Sequence, residues 1–247
     1  MSEVVDVDGS TGVLAAYCFM TGFVDAVSFT ACFIWCAFQT GNTIQLSLAL
    51  ARLFSGEGQT STFLMPDRQA LASLSSFLGG SFFGRLGDRY NPKTRGWLSF
   101  ATLMQAGLTM AAALCAWKAH QSGFTSSRAD PSWTDAYGFL ALAFASASMG
   151  LQAQVGTRMG SQFATTVVLT SVWVALVSDP VLFRAPTKIY PQRDYRMLAI
   201  ASVFLGGFVG RALTGSIGPA ATLGIGAGIR LFIAPAWFLV QKAKKKV

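Results

Sequence analysis

The chain has 247 residues, of which 52% are hydrophobic and 12% are charged, and its formal net charge is +8. A soluble domain carries about twice that charged fraction, so the composition argues against a soluble enclosed core and predicts a helical membrane protein. The basic residues are scattered through short connections and the C-terminal tail, so we expect them to set membrane orientation and predict no nucleic-acid site.

The chain begins with an acidic tail over residues 1–11 that contains no Lys or Arg. A secretory signal peptide starts with basic residues, so we expect the first apolar run to be retained as a membrane span. Eight apolar segments follow, each close to the roughly 20 residues that cross about 30 Å of hydrocarbon. They are predicted over residues 12–30, 33–54, 69–86, 96–117, 134–155, 161–178, 196–213 and 217–240.

The expected fold is therefore all-α, a polytopic bundle of about eight transmembrane helices. The first two segments, and the fifth and sixth, are joined so tightly that counts of six or seven are also open. With eight spans the termini share one side, and the positive-inside rule places them in the cytoplasm. The basic cluster at Arg85, Arg89, Lys93 and Arg95 argues against that orientation.

An internal repeat is the strongest signal in the sequence. Phe77-Leu78-Gly79-Gly80 recurs as Phe204-Leu205-Gly206-Gly207, and a Gly-Arg pair follows each copy. The eight segments pair in order, which predicts two homologous halves, 12–117 and 134–240, with a loop over 118–133 and a basic tail over 241–247. Four spans per half would give the halves the same orientation and three would invert the second half; transporters place their sites where such halves meet. Small residues at helical spacing favour helix packing, which we predict for Gly79, Gly80, Gly84, Gly206, Gly207 and Gly210.

Two polar features interrupt the first two apolar segments. Asp25 is an ionisable residue in an apolar run, which is a functional-site hypothesis by default. A polar break follows at Gln39, Thr40, Gly41, Asn42 and Thr43. If the two segments form an antiparallel pair, Asp25 and Asn42 lie at similar depths and face one cavity. The alternatives are that the break is structural glue between helices, and that Asp25 pairs with Arg85, Arg211 or Arg230.

The sequence Gly22-Phe23-Val24-Asp25-Ala26-Val27-Ser28-Phe29, followed by Thr40-Gly41-Asn42, resembles the YoaK-like family of multi-span membrane proteins of unknown function. The resemblance covers nearly the whole chain and implies a polytopic membrane protein without an established substrate. The long loops and the tail resemble those of a eukaryotic, fungal member. Where the family has a second polar motif, this chain has Gln152 and the pair Thr165 and Thr166, which we include among the candidate solute-binding residues.

The first functional hypothesis is a carrier for a small polar or anionic metabolite, with its site between the halves and proton coupling through Asp25. The alternative is a membrane scaffold or oligomerising assembly factor. A membrane enzyme is not expected, because the chain has one His and no nucleophile elbow, and no cofactor or metal site is predicted. Cys32 and Cys36 are one helical turn apart, but we interpret them as small buried hydrophobic residues.

The expected partners are the lipid bilayer, an unidentified solute and a second copy of the chain. The lysines at the C-terminus favour a cytoplasmic tail in the plasma membrane or the endoplasmic reticulum.

Overall fold

The computed structural model describes residues 3–55, 63–160, 169–184 and 188–243. In these residues the fold is helical, which confirms the all-α prediction. The helices are α1 (Thr11–Cys32), α2 (Gln39–Ser55), α3 (Met65–Gly84), α4 (Arg95–Lys118), α5 (Ala136–Met159), α6 (Leu169–Val177) and α7 (Pro191–Leu239), with short 3-10 helices at Asp8–Ser10 and Arg85–Arg89.

Four helices of the described part are long and apolar enough to cross a membrane: α1 with its preceding 3-10 turn, α4, α5 and α7. Helix α2, where a span was predicted over 33–54, is not among them, and neither is α3. Of the predicted span over 161–178, the structure describes α6 and the residues after it, whereas residues 161–168 lie outside the described part.

Helix α7 has 49 residues and consists of two helices joined at Gly218. A straight helix of this length would measure about 73 Å, more than twice the thickness of the hydrocarbon layer. Gly218 has φ 82° and ψ 167°, a conformation that favours glycine, and Pro219 follows it. We name the two parts α7a (191–217) and α7b (219–239). They correspond to the predicted segments 196–213 and 217–240.

One end of the bundle, here called the terminal end, holds both ends of the described chain. Residues 3–6 pair with two other segments there: the Val5 amide donates to the Lys93 carbonyl at 3.0 Å, and the Asp6 amide donates to the Gln241 carbonyl at 2.8 Å. The Glu3 carboxylate accepts hydrogen bonds from Lys242 and from Arg95. The bond from Lys242 lowers the pKa of Glu3 below its ordinary value. We call this arrangement the terminal clasp.

The opposite end, the loop end, is organised by the loop over residues 119–135. The Ser132 amide donates to the Ala31 carbonyl at 2.9 Å, which fixes the last turn of α1. The Gln69 side chain donates to the Ser132 and Trp133 carbonyls, which fixes the start of α3. Gly123 lies against Pro219, so the break in α7 is also at this end.

These contacts set the direction of each long helix. Helices α1, α4 and α7a run from the terminal end to the loop end, while α3, α5 and α7b run back. The Arg158 guanidinium and the Asp88 carboxylate, joined at 2.6 Å, mark the arrival of α5 and α3 at the terminal end. Helix α6 also ends there, because Arg196 near the start of α7a binds Asp179 at 2.9 Å.

Helices α3 and α5 approach closely through glycines. A Cβ on Gly80 would lie 2.0 Å from the Ala147 carbonyl oxygen, and a Cβ on Gly150 would lie 2.0 Å from the Phe77 carbonyl oxygen. Gly84, one turn after Gly80, packs against the Gln154 and Leu151 side chains of α5. Any larger residue at Gly80 or Gly150 would push the two backbones apart.

Helices α1 and α7a meet with the same pattern. A Cβ on Gly206 would lie 1.9 Å from the Phe19 carbonyl oxygen, and a Cβ on Gly22 would lie 2.0 Å from the Val203 carbonyl oxygen. Gly210, four residues after Gly206, would bring a Cβ within 2.6 Å of another α1 carbonyl oxygen. The two crossings are therefore built from equivalent contacts.

The equivalent residues are shifted by one position from those that the sequence repeat pairs. Gly80 corresponds to Gly206, because each makes the close contact and each has a second glycine four residues later. A Cβ on Gly79 would have no neighbouring atom within 4 Å, and the nearest atom to a Cβ on Gly207 would be 3.8 Å away. Of the predicted packing residues, Gly79 and Gly207 thus have room for a Cβ, although the Gly207 backbone nitrogen would lie 2.7 Å from a Cβ on Gly22.

Candidate functional site

A re-entrant turn over residues 33–38 connects α1 to α2. Helix α1 ends at Cys32, and Phe33 adopts the left-handed conformation with φ 55°. The chain then returns into the bundle, because the amides of Cys36 and Ala37 donate to Asp25 Oδ1 at 2.7 and 2.9 Å. Asp25 lies seven residues before the end of α1, about 10 Å from the loop end.

Asp25 is the acceptor that makes this turn possible. Non-helical backbone at membrane depth is tolerated only where its polar groups find partners inside the protein or water. The Asp25 side chain is 1% exposed, and its second oxygen, Oδ2, has no hydrogen-bond partner in the described residues. None of the three arginines considered as partners is ion-paired with it: Arg85 lies over Phe82, Arg211 lies over Phe124, and Arg230 binds Gln105.

Asn42 holds the turn from the other side. Its Nδ2 donates to the Trp35 carbonyl at 2.8 Å and to Gln39 Oε1 at 2.8 Å, and it lies 3.2 Å from Ser73 Oγ on α3. Ser73 in turn is 2.9 Å from Ser146 Oγ on α5. A continuous polar network therefore links the re-entrant turn, α2, α3 and α5 inside the bundle.

The structure thus brings Asp25, Gln39 and Asn42 together around one turn. Thr40, Gly41 and Thr43 lie on the exposed side of α2, where the Thr43 hydroxyl donates to the Gln39 carbonyl at 2.9 Å. Thr165 and Thr166 lie outside the described residues. Gln152 is in a different place, and donates to the Tyr17 carbonyl and to Thr21 Oγ1, both at 2.9 Å.

Two adjoining cavities lie between the turn, α2 and the loop end. The larger has a volume of about 600 Å³ and is lined by Gly41, Ile44, Gln45, Leu48, Arg52, residues 64–67, Arg128 and Ala129. The smaller has about 150 Å³ and is lined by Phe29, Phe33, Trp35, Gly41, Asn42, Gln45 and Arg128. We call the pair the vestibule. It leads from the loop end to Asn42.

The vestibule combines charged, amide and aromatic groups. Arg128 donates to Gln45 Oε1, and Arg52 pairs with Asp67 at 2.5 Å. Phe29 and Trp35 stack with ring centroids 4.1 Å apart and form an apolar wall beside Asn42. Such a surface can replace the hydration shell of a small polar solute. Sequence reasoning missed Ser73, Ser146 and Arg128, because only the fold brings these separate segments together.

A second polar cluster lies deeper, between α1, α4, α5 and α7b. Tyr17 Oη is 2.6 Å from Thr102 Oγ1, to which Trp237 Nε1 also donates at 3.0 Å. Gln105 and Arg230 complete this central cluster, and all five side chains are buried. The sequence carries a signal for the cluster, since Arg230 interrupts the last apolar segment, but that signal alone suggests only a pairing with Asp25.

The cysteines take part in packing. All four are free, and Cys18, Cys32 and Cys36 are buried. Cys36 contributes its backbone amide to the turn, and the Cys32 thiol donates to the Ser28 carbonyl at 3.3 Å. Within the described ranges, no group of three or more His, Cys, Asp or Glu side chains is placed to hold a metal ion.

Long apolar helices that carry a buried polar re-entrant turn define an integral membrane protein of the helical class. The family model described as "Protein of unknown function (DUF1275)" matches residues 13–236, and the chain belongs to this family. This match confirms the YoaK-like resemblance, while the fungal source remains a prediction. The comparison with curated proteins gave no match, and neither did the comparison with solved structures.

Proposed function

We propose that the protein is a membrane carrier for a small polar or anionic metabolite, with a solute path between two inverted halves. The first half contains three crossings, α1, α3 and α4, and the re-entrant turn with α2. The second half contains α5, α7a and α7b, together with α6. This arrangement replaces the eight crossings of the sequence-based prediction with six.

The directions of the helices support the proposal that the second half is inverted relative to the first. Helix α1 leaves the terminal end whereas its counterpart α5 arrives there, and the same reversal holds for α3 with α7a and for α4 with α7b. Helix α2 begins at the depth of Asp25 and ends at the loop end, where Arg52 meets Asp67. Helices α5 and α6 likewise both end at the terminal end. Inverted repeats with interrupted helices are a common transporter architecture.

The two glycine-lined helix crossings are independent support for two related halves. The α3–α5 pair and the α1–α7a pair use the same contacts, so each crossing helix of one half packs on the other half. The seam between the halves therefore runs through the bundle, as expected for duplicated halves that move against each other.

Basic residues support a cytoplasmic terminal end. The basic cluster from Arg85 to Arg95 argued against cytoplasmic termini in the eight-span prediction. With six crossings, this cluster lies on the same side as both termini. The terminal end carries Arg85, Arg89, Lys93, Arg95, Arg158, Arg184, Lys188, Arg193, Arg196 and Lys242, whereas the loop end carries Arg52, Arg68, Lys118, Arg128 and Arg211. The membrane itself is proposed to be the plasma membrane or the endoplasmic reticulum.

The observation that carries the proposal is the polar re-entrant turn beside the vestibule. A scaffold needs neither a buried carboxylate at this depth nor a cavity beside it that carries Gln45, Arg52 and Arg128 in its lining. Transporters, in contrast, use interrupted helices near the midplane to bind solutes. Asp25 Oδ2 has no hydrogen-bond partner in the described residues and lies next to the turn. A proton that adds to this oxygen weakens Asp25 as a hydrogen-bond acceptor, which links protonation to the position of the turn.

Uptake into proteoliposomes tests the proposal, with radiolabelled acetate, succinate and glycerol as probes. We expect saturable, protein-dependent uptake of at least one probe. Asn42→Ala should lower the initial rate about tenfold, the usual effect of removing a buried hydrogen-bonding group. Asp25→Asn should abolish uptake or its dependence on a pH gradient. Ser47→Ala, an exposed change on α2, is the matched control and should behave as wild type.

One result would count against the carrier, and a second would count only against the role of Asp25. The first is the absence of uptake of all three probes above empty vesicles, together with an Asn42→Cys thiol that hydrophilic reagents do not reach from either side. The second, unchanged pH-driven uptake by Asp25→Asn, removes Asp25 from the mechanism.

One observation favours the alternative of an oligomerising scaffold. An apolar groove of about 740 Å³ lies between α6 and α7a, and is lined by Leu169, Trp173, Leu176, Met197, Ile200, Ala201 and residues 203–205. Lipid chains or a second copy would cover such a surface. Trp173→Ala should then lower the oligomer mass in native mass spectrometry, while a carrier without this interface should keep its mass.

A further inference from the structure

Arg230 lies near the middle of α7b and is fully buried. It is eleven residues after the start of α7b and nine before its end, so it is about 15 Å from either end of the bundle. Gln105 and Met149, its two neighbours, also lie near the middle of their helices. The first belongs to α4 of the first half and the second to α5 of the second half, so Arg230 is at the seam.

The guanidinium is only partly satisfied. Its Nη1 donates to Gln105 Oε1, and its Nη2 lies 3.4 Å from the Met149 sulfur, a weak acceptor. Its Nε has no hydrogen-bond partner in the residues that the structure describes. Arg230 also forms no ion pair with any of them, and Tyr17 in the same cluster is a phenol, which is uncharged at neutral pH.

A buried guanidinium without a counter-charge costs several kcal/mol in a membrane interior. Packing alone does not require this cost, because a Leu or Met would fill the same space. Asp25 cannot supply the missing charge, since its carboxylate is bound to the backbone of the re-entrant turn. We propose that Arg230 binds a small carboxylate anion at the seam between the two halves.

The edge of the guanidinium formed by Nε and Nη2 identifies the class of anion, because its partner in the described residues is the weak Met149 sulfur. Nε and Nη2 form the side of a guanidinium that holds two oxygens at once. In this protein Arg158 uses the same edge, since its Nε and Nη2 donate to the two carboxylate oxygens of Asp88 at 2.8 and 2.6 Å. On Arg230 this edge has no oxygen partner in the described part of the chain. The buried surroundings favour a small anion of the size of acetate.

This inference deepens the proposed function, because it names the solute class and a binding residue. Binding can nevertheless be measured without transport. Full-length protein in lipid nanodiscs is titrated with sodium acetate that replaces sodium gluconate. This exchange keeps ionic strength and carboxylate content constant and replaces a large hydroxylated anion with a small one. The readout is the thermal unfolding midpoint, which rises with ligand occupancy.

We expect acetate to raise the wild-type midpoint in a saturable way. Arg230→Gln should weaken the apparent affinity about 10- to 100-fold, the effect of losing hydrogen bonds from a charged group. Arg211→Gln is the control, because Arg211 is on the same long helix but lies at the loop end over Phe124. It should keep the wild-type affinity. Arg230→Lys keeps the charge but loses the two-pronged edge, and should weaken binding about tenfold.

The outcomes separate the two proposals. Equal stabilisation of wild type and Arg230→Gln by acetate, or none of the wild type, overturns the anion site. If the Gln variant does not give monodisperse protein, the Lys variant decides, and an unchanged affinity overturns the site. Binding that depends on Arg230 without uptake of any probe supports the site and rejects the carrier. Acetate uptake that is unaffected by both Arg230 variants, together with acetate binding that does not depend on Arg230, rejects the site and leaves the carrier standing.

Discussion

Adjacent glycines in this protein have different physical roles. Gly80 touches the backbone of α5 and Gly79 points to open space, although both precede the same Gly84 in the sequence. The difference follows from helix geometry, because neighbouring residues point about 100° apart. Only one of two consecutive glycines can face the partner helix at its closest point.

We expect Gly80→Ala to destabilise the protein and Gly79→Ala to be tolerated. A methyl group on Gly80 meets the Ala147 carbonyl oxygen at 2.0 Å, and such overpacking costs about 1–3 kcal/mol. At Gly79 the methyl group meets nothing and improves helix propensity. Thermal unfolding in detergent measures both. Gly206→Ala and Gly207→Ala form a second matched pair, and equal midpoints within either pair would contradict the assigned packing.

The re-entrant turn is an element whose position depends on a few hydrogen bonds. Its backbone reaches the depth of Asp25 because one carboxylate oxygen accepts two amides, while Asn42 holds the Trp35 carbonyl. The following helix, α2, exposes Ile44, Leu48 and Phe54, so few tertiary contacts fix it. Elements held by few contacts open locally at the lowest free-energy cost.

Removal of the acceptor should therefore free the turn. In a chain with Cys36 as its only cysteine, Asp25→Ala leaves two buried amides without a partner, which costs about 1–3 kcal/mol. We expect the rate of Cys36 alkylation by a hydrophilic maleimide to rise about tenfold, because the open state becomes more populated. Asp25→Asn keeps an acceptor oxygen and should give a smaller rise. Protection of Cys36 in all three proteins would show that other contacts hold the turn.

For the whole molecule, the proposed topology places both termini on one side and the loop over 119–135 on the other. The eight-span prediction placed them together. The difference arises because α2 dips into the bundle and returns to the loop end, so α3, α4 and α5 run opposite to the eight-span prediction. Helix α6 does not cross in the proposed topology either, so α7a and α7b keep the predicted directions.

Cysteine labelling in sealed vesicles distinguishes these topologies. Single cysteines are introduced at Ser126 and Lys242 in a background without the four native cysteines. Both positions are exposed. With six crossings, a membrane-impermeant maleimide added outside should label one of them, and the other should react only after the vesicles are opened. Labelling of both from the same side would restore the eight-span topology.

Much of the fold could be predicted because it depends on local composition. The segments for α1, α4 and α5 fall within a few residues of the observed helices, since a long apolar run has few other solutions. The neighbours of residues that make contacts distant in sequence could not be predicted. The position of Ser73 beside Asn42, and that of Arg230 beside Gln105, result from helix crossings that no single segment encodes. Asp25 and Asn42 were found because polar residues in apolar runs are unusual anywhere.

The terminal clasp also constrains motion. Residues 3–6 join the start of α4 to the chain just after α7b, and these helices belong to different halves of the proposed carrier. Any rotation of one half against the other would therefore pivot near the terminal end, and its amplitude would grow with distance from that hinge. Deletion of residues 3–6 would remove this hinge and leave the membrane-spanning helices unchanged.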